Sequence, residues 1–481
     1  MKWYQGGLAL VTLPFAPWPI YNGAHPPATP PCPMLTVASP AGRHFCDRVS
    51  RRSFLRAGAL GLGALSLPRL LELRATGGVA ERSRGKSVIM ICLGGGPSQI
   101  DMYDMKPDAP ADYRGEFRPI KTNVPGFELC ELMPRQAKLA DKFSVVRNVQ
   151  WLEPDHQRAE VFSGFPVKAH RPSFGSIVSR LYEAPGLKLP KFVSLSSEYN
   201  EELQTFEAPG YVGAAHRAFI PTRKGLENFA LRPEVTLNRL SNRKQLLQSL
   251  DNVRRELDRG EFEALDTFTA KAFDLITSRN VRDAFDIGRE PPKLIERYGQ
   301  KGAKYEYNKS PAQWTFEDFL RARRLVEAGV PYVSLQVGLW DHHGGDQQGS
   351  IFNGYRSLLP LLDQSLSALI EDLYDRGLDR DVAVIVWGEF GRTPKVNVGG
   401  GRDHWPQAGF ALFIGGGLKM GQIVGATDRT AAAPTTQPYS PQNVLATLYH
   451  VLGIDPATTL PDHNGRPVYL LDEREPITEL V

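Results

Sequence analysis

Three short motifs near the C-terminal end of the chain together contain three histidines and three carboxylate side chains. Trp340–Gly345 has the sequence WDHHGG, Glu389–Pro394 is EFGRTP and Gly401–Pro406 is GRDHWP. Each motif borders an apolar run typical of a strand, and loops at strand ends are where α/β proteins carry their chemistry. Asp, Glu and His without Cys form the ligand set of a divalent cation bound through oxygen and imidazole nitrogen. One motif alone would suggest a histidine paired with its acidic neighbour on a solvated loop, whereas the three together predict a metal site.

The segments around these motifs alternate between strand and helix patterns. Ser87–Leu93 and Val382–Trp387 are continuous apolar runs, typical of strands buried on both faces of a parallel sheet. Further strands are predicted at Phe143–Val146, Phe192–Leu195, Val330–Val337 and Phe410–Ile414, and helices at Pro172–Tyr182, Glu317–Ala328, Leu358–Arg376 and Gln442–Leu452. This alternation predicts an α/β fold with a mainly parallel sheet and helices on both faces. Residues 226–310 begin with a polar, Arg-rich helical pattern and are interpreted as a helical insertion, with a separate domain as the alternative.

The sequence Ser50–Arg56, SRRSFLR, is typical of a twin-arginine export signal. The apolar stretch Ala57–Leu67 that follows is too short to span a bilayer, which takes ~20 residues, and suits the hydrophobic region of a signal peptide. A buried helix after a basic pair is the alternative. We therefore expect a signal over residues 50–80, recognition by the twin-arginine translocase, and a periplasmic or extracellular protein. Residues 1–49 are interpreted as a disordered or mis-assigned extension, since Met34 is an alternative start.

Composition agrees with one large globular domain, which we place at residues 86–475. Hydrophobic residues make up 42% and charged residues 23% of the 481, which is ordinary for such a domain. A net charge of +4 is near balance, so no nucleic-acid partner is expected. No segment after the signal is long and apolar enough to form a stable transmembrane segment. Only Cys92 and Cys130 follow the signal, which argues against a disulfide framework and against an iron–sulfur protein.

The order of several motifs resembles the domain-of-unknown-function family 1501. The residues that carry the resemblance are Gly94–Asp101, Asp155-His156, Ser163-Gly164, Arg171-Pro172-Ser173 and the three motifs described above. Members of that family are exported bacterial proteins grouped with the alkaline phosphatase and sulfatase superfamily. The resemblance covers about residues 50–470. It implies an alkaline phosphatase-like, three-layer α/β/α sandwich with a metal site at the C-terminal edge of the sheet.

The resemblance also places a proline where the superfamily carries its nucleophile. In phosphatases and sulfatases a Ser, Thr or modified Cys stands nine residues before a Thr/Ser-Gly pair, and here Pro154 holds that position ahead of Ser163-Gly164. Arg158 matches the arginine that follows the nucleophile. The candidate catalytic residues are His156, Asp155 and Arg158. Without a side-chain nucleophile, attack by metal-bound water is favoured, and Asp155 as a nucleophile is the alternative.

The same resemblance supplies ligands for one or two divalent cations, with zinc, manganese or calcium as candidates. Glycines replace the metal-binding Asp that ends the first strand in the superfamily, which leaves Asp101 as the nearest candidate. The predicted ligands are Asp101, His156, Asp341, His343, Glu389 and His404. Around them, His342 and Asp403 are either partners that orient the ligands or plain surface residues. Arg392 and Arg171 are either anion clamps or members of structural ion pairs.

These residues predict an exported, metal-dependent hydrolase of sulfate or phosphate esters that uses metal-bound water. A cation would neutralise charge on the ester and lower the pKa of the water. The substrate would be an anionic ester, for instance a sulfated or phosphorylated glycan. The alternative, favoured by Pro154 at the nucleophile position, is a non-catalytic relative that keeps the fold and binds a polyanion or a cell-surface glycan.

Overall fold

Strands and helices alternate along the chain in the computed structural model, which describes residues 85–156, 158–195, 205–221, 278–300, 316–345 and 349–481. The strands are β1 (Ser87–Cys92), β2 (Pro119–Lys121), β3 (Glu128–Cys130), β4 (Phe143–Val149), β5 (Phe192–Ser194), β6 (Tyr332–Gln336), β7 (Val382–Trp387), β8 (Gly391–Arg392), β9 (His404–Trp405), β10 (Gly409–Gly415), β11 (Ile423–Val424), β12 (Thr459–Pro461) and β13 (Pro467–Tyr469). The α-helices are α1 (Gln99–Met102), α2 (Ala111–Arg114), α3 (Pro134–Ala137), α4 (Ala159–Ser163), α5 (Phe174–Leu181), α6 (Arg279–Phe285), α7 (Pro292–Tyr298), α8 (Phe316–Glu327), α9 (Ile351–Asp375) and α10 (Pro441–Leu452). Short 3-10 helices cover Ala140–Lys142, Val167–Ala169, Gly210–Val212, Ala214–His216 and Ile287–Arg289.

Seven of these strands form one mainly parallel sheet in the order β11-β4-β10-β7-β1-β6-β5. β1 lies at its centre and pairs in parallel with β7 on one side and with β6 on the other. Only β10 breaks the pattern within this sheet, because it runs antiparallel to both β7 and β4. The N-terminal end of β10 therefore lies at the same edge as the C-terminal ends of β1, β4, β6 and β7. That edge carries the loops to which the sequence assigns chemistry.

Alternate residues of the central strands enter two separate hydrophobic cores, one on each face of the sheet. Ile89 and Ile91 of β1 belong to the core shared with α8 and α9. Val88 and Met90 belong to the core shared with α5 and α10. Every residue of β1 and β7 is buried, as expected of strands covered on both faces. The predicted three-layer α/β/α sandwich with a mainly parallel sheet is thus confirmed.

Helix α9 differs most from its predicted range, since it begins at Ile351 and not at Leu358. The Ser350 hydroxyl accepts a hydrogen bond from Phe352 N at 3.2 Å and caps the helix at this earlier position. The predicted insertion at 226–310 lies outside the described residues except at 278–300, where α6 and α7 are found. The predicted signal and the extension before it also lie outside them. Within the described ranges no helix combines the length and the apolar character needed to cross a membrane.

Candidate metal centre

The loops at this edge of the sheet carry the histidines and carboxylates singled out from the sequence. His156 lies between β4 and α4, and Asp341 and His343 follow β6. Glu389 follows β7, and His404 begins β9, shortly before β10. These segments are far apart along the chain, but the strand order places their ends side by side, as is usual for sites of α/β sheets.

Backbone contacts fix these loops to one another. The pairing of β8 with β9 sets Arg392 opposite His404, and Arg402 N donates to the His342 carbonyl at 3.0 Å. Gly95, which follows β1, has a φ of +104°, and an added Cβ there would lie 2.7 Å from Asp341 N. Only glycine lets the turn after β1 pack so closely against the loop that carries Asp341.

Four side chains converge in this frame: His156, Asp341, His343 and His404, whose donor atoms lie within 4.8 Å of one another. His343 Nε2 lies 2.9 Å from Asp341 Oδ1 and 3.0 Å from His404 Nε2. His404 Nε2 is 3.3 Å from Asp341 Oδ1, and His156 Nε2 is 3.4 Å from Asp341 Oδ2. All four residues are half-buried. We call this group the metal cluster, and it contains four of the six predicted ligands.

Each imidazole of the metal cluster has an oxygen atom next to its Nδ1. The pairs are His404 with the Pro154 carbonyl at 2.6 Å, His343 with Asp403 Oδ1 at 2.8 Å and His156 with Glu389 Oε1 at 3.1 Å. Carbonyl and ionised carboxylate oxygens only accept hydrogen bonds, so each Nδ1 carries a proton. In the neutral rings Nε2 then keeps its lone pair. Two such lone pairs 3.0 Å apart, on His343 and His404, repel unless a proton or a cation lies between them, and the arrangement therefore fits a metal ion.

Burial and charge oppose each other in the metal cluster. Burial would lower the pKa of His156, but hydrogen bonds to Asp341 and Glu389 outweigh it and raise that pKa to about 9. Burial would raise the pKa of Asp341, yet hydrogen bonds from His156 and His404 and the charge of Arg392 hold it well below its usual range. The carboxylates thus strengthen the attraction of His156 for positive charge. A proton and a metal ion compete for its Nε2.

Arg392 is fully buried beside the metal cluster. Its Nε donates to the Gly96 carbonyl at 2.8 Å and its Nη1 to the Arg402 carbonyl at 2.9 Å. Nη2 donates to the Gly95 carbonyl and, at 2.5 Å, to Asp341 Oδ1. This ion pair fits the structural role left open for Arg392, and it also keeps a fixed positive charge next to the Asp341 carboxylate.

Asp101 does not join the metal cluster, so the ligand role predicted for it does not fit the structure. Its fully buried carboxylate accepts from Arg402 Nε at 2.7 Å and from Arg402 Nη2 at 3.2 Å, and from Ser98 Oγ at 2.6 Å. A bidentate pair of this kind occupies the lone pairs that a cation would need. Sequence reasoning assigned no part to Arg402, although its place in the Gly401–Pro406 motif was an available signal.

Glu389 is buried behind His156 and is not one of the four converging donors. Its Oε1 accepts from Gly95 N at 2.7 Å, from His156 Nδ1 at 3.1 Å and from Arg158 Nε at 3.4 Å. Burial opposes ionisation, but the contacts with His156 and Arg158 prevail and lower the pKa of Glu389. The structure therefore places the predicted ligand Glu389 in contact with His156 and pairs it with the predicted catalytic residue Arg158.

The remaining candidates are not among the four donors of the metal cluster. Asp403 Oδ1 contacts His343 Nδ1, which is the contact expected of a residue that orients the His343 ring. His342 is fully buried against Tyr355, with ring centroids 5.7 Å apart, and burial lowers its pKa to about 4. Asp155 is exposed and outside the four donors.

Arg171 and the Pro154 carbonyl are the last two groups to compare with the sequence predictions. Arg171 donates to the Tyr469 carbonyl at 2.9 Å and stacks on Phe165, which favours a structural role. The Pro154 carbonyl holds His404, and because a backbone group leaves no trace in residue identity, no sequence signal could have revealed it.

Comparison with known proteins identifies a family. Residues 85–481 match the model of a family described as a protein of unknown function, DUF1501. No curated protein matches the chain. Similar solved structures include the lipoteichoic acid synthase LtaP from Listeria monocytogenes (12% identity, 77% of this chain and 72% of that chain, TM-score 0.33). They also include the PsFucS1 sulfatase from Pseudoalteromonas sp. (13% identity, 80% and 70%, TM-score 0.34) and a protein in the alkaline phosphatase superfamily from Vibrio parahaemolyticus (12% identity, 77% and 67%, TM-score 0.35). Likenesses this distant leave the activity open.

Proposed function

This chain belongs to the DUF1501 family, and we propose that it is a metal-dependent hydrolase of sulfate or phosphate esters that acts outside the cytoplasm. The observation that carries the proposal is the convergence of three Nε2 atoms on Asp341 while every Nδ1 already contacts an oxygen. Neutral imidazoles bind metal ions in this arrangement, with the second ring nitrogen donating to a carboxylate or a carbonyl.

The metal cluster suits a single zinc-like ion. Three imidazole nitrogens and one carboxylate oxygen match the four-coordinate N/O sites of zinc, whereas calcium prefers a shell of oxygens. The carboxylates that a second cation would need, Asp101 and Glu389, are bonded to Arg402 and to Arg158. Of the one or two cations expected, we propose one. When bound, it supplies Lewis acidity, which neutralises charge on an anionic ester and acidifies water.

Residues of the chain would hold the ester and move protons around this ion. Arg392 fixes Asp341 and adds positive charge that favours an anionic group. Asp155 is exposed next to His156 and can accept a proton from the attacking water. Ser163 is engaged elsewhere, since its Oγ donates to the Ala159 carbonyl at 2.7 Å and accepts from Phe165 N at 3.1 Å. We therefore propose direct attack by water, without a covalent ester on the enzyme.

Loss of a ligand should reduce the metal content and abolish turnover together. We expect the zinc-loaded protein to hydrolyse an aryl sulfate, a phosphate monoester or a phosphate diester. H343A, H404A and H156A should each bind zinc more weakly and lose turnover, because each removes one of the four donors and leaves three. S163A is the matched control and should retain both, since Ser163 only bonds the end of α4. Metal content by mass spectrometry and product release check the two properties on the same samples.

Several outcomes would contradict the proposal. If the wild-type protein binds no zinc, the proposed metal site itself is wrong. If labelled phosphate or sulfate is trapped on Ser163, the reaction proceeds through a covalent intermediate and not by direct attack of water. Zinc bound without turnover of any of the three esters would favour the non-catalytic relative that binds a polyanion or a cell-surface glycan.

A further inference from the structure

The three imidazoles of the metal cluster differ in the group that holds their Nδ1 atoms. For His404 it is the Pro154 carbonyl, for His343 the carboxylate of Asp403, and for His156 the carboxylate of Glu389. The Asp403 side chain is 54% exposed, whereas that of Glu389 is 1% exposed. A charge acts more strongly on its neighbours in a buried, less polarisable setting than in water. Glu389 should therefore influence His156 more than Asp403 influences His343.

Glu389 is held in place by the buried end of a strand. It follows β7 and Gly388, and a Cβ added to Gly388 would lie 2.3 Å from Pro97 Cδ, so the backbone just before Glu389 packs closely against the turn after β1. Its hydrogen bonds to described residues gather on Oε1, the oxygen that contacts His156. Oε2 has no hydrogen-bond partner within the described part of the chain. The carboxylate thus acts on its surroundings mainly through the oxygen that faces the His156 ring.

His156 lies between two carboxylates. Its Nδ1 is 3.1 Å from Glu389 Oε1, and its Nε2 is 3.4 Å from Asp341 Oδ2. The ring also packs against Phe390, with centroids 5.3 Å apart. Glu389 Oε1 accepts a hydrogen bond from His156 Nδ1, which leaves Nε2 as the atom directed at Asp341 and at the other imidazoles. The rotation of the ring and the position of its proton are both set from the Glu389 side.

We propose that Glu389 is a positioning residue of the metal centre, which contacts no cation itself and acts by directing His156 Nε2 towards the cation. The inference rests on the proposed metal site. Arg158 Nε lies 3.4 Å from the same oxygen and places a positive charge beside the buried carboxylate. The competing hypothesis is that Glu389 binds the cation directly. The two hypotheses differ in whether the effect of Glu389 on zinc affinity requires His156.

A thermodynamic cycle on zinc affinity separates these readings. Isothermal titration calorimetry with zinc is performed on metal-stripped wild type, E389Q, H156A and H156A/E389Q. In the wild-type background E389Q should weaken binding about 10- to 100-fold, the usual cost of losing such a partner. In the H156A background the same change should have little effect, because the ring through which Glu389 acts is absent. An equal loss in both backgrounds would show that Glu389 acts independently of His156 and would overturn the inference.

Asp403 provides the matched control. D403N removes the exposed carboxylate behind His343 and should weaken zinc binding less than E389Q does, and its effect should persist in the H156A background. The visible spectrum of the cobalt-substituted protein gives a readout of ligand geometry that a general loss of stability would not move, and it should change in E389Q. If wild type binds zinc and E389Q matches it in affinity and spectrum, this inference fails while the metal site stands. If wild type binds no zinc, the proposed function fails first.

Discussion

Glu207 is a buried carboxyl group that lies under β5 and β6, away from the metal cluster. Its Oε1 accepts a hydrogen bond from the Ser334 hydroxyl, and only 2% of the residue is exposed. Burial raises its pKa to about 7, against the opposing effect of the Ser194 and Ser334 hydroxyls, which favour the ionised form. In the unfolded chain the same group titrates near the ordinary value of a glutamate, about 4.3.

The stability of the protein should therefore depend on pH through Glu207. Between the unfolded and folded pKa values the folded chain binds the extra proton, so stability falls as pH rises from about 4.5 through about 7. E207Q removes this group, and the unfolding free energy of the variant relative to wild type should increase by about 2–3 kcal/mol between pH 4.5 and pH 8. Urea unfolding across that range measures the difference. E116Q, at a half-exposed position, is the control for the loss of a surface carboxylate, and a flat difference for E207Q would contradict the prediction.

Residue identity was enough to find the histidines of the metal cluster but not to choose among the carboxylates. Asp101, Asp341 and Glu389 all lie near the ends of apolar strands, and the sequence offers no reason to separate them. Arginines from other segments separate these carboxylates in the folded chain, because Arg402 forms an ion pair with Asp101 and Arg158 forms one with Glu389. Partners that meet only in the folded chain could not be predicted from local spacing.

At the level of elements, helix α9 supports the loop that carries Asp341 and His343. A Cβ added to Gly354, on this helix, would lie 2.2 Å from Nε2 of the buried His342 ring. The His342 carbonyl in turn accepts from Arg402 N, which links the loop to the segment carrying His404. The position of α9 therefore limits where Asp341 and His343 of the metal cluster can lie.

Gly354→Ala should destabilise the protein by about 1–3 kcal/mol, the typical cost of an extra methyl group in a packed core. In an exposed helix the same change would stabilise by roughly 0.5–1 kcal/mol, so the sign of the effect reports the contact with His342. Denaturant unfolding measures it, and zinc affinity should fall in parallel. The double variant H342A/G354A is the control: relative to H342A alone, the alanine should cost little or nothing. Equal destabilisation in both backgrounds would mean that His342 is not the obstacle.

Elements were predictable where one physical pattern dominates. Val382–Trp387 was found at its full extent because every residue is apolar and buried. β8 and β9 contain two residues each, too few for any periodicity, although they set Arg392 opposite His404. The antiparallel direction of β10 leaves no mark in its composition, yet it brings the chain past His404 at the correct edge.

At the scale of the whole molecule, the proposed site of action depends on the sequence Ser50–Arg56, outside the described residues. Replacing Arg51 and Arg52 by Lys should keep nearly all of the precursor in the cytoplasm, because a lysine ammonium cannot reproduce the planar, five-donor guanidinium group. Immunoblots of periplasmic and cytoplasmic fractions measure the distribution. R69K, beyond the motif, is the control and should be exported normally. Export of the double variant at the wild-type rate would show that the leader has been misidentified.

The central place of β1 in the sheet has a consequence for the order in which the chain can fold. The segment SVIMIC is the first of the sheet to leave the ribosome, but its partners are β6 and β7, made only after most of the chain. Until then it is an uncharged, β-prone segment with both edges unpaired, the kind that associates between chains. Pairing across such sequence distances is also slow. The late-synthesised strands therefore determine how long this early strand stays exposed, and refolding should lose more material to aggregation as the protein concentration rises.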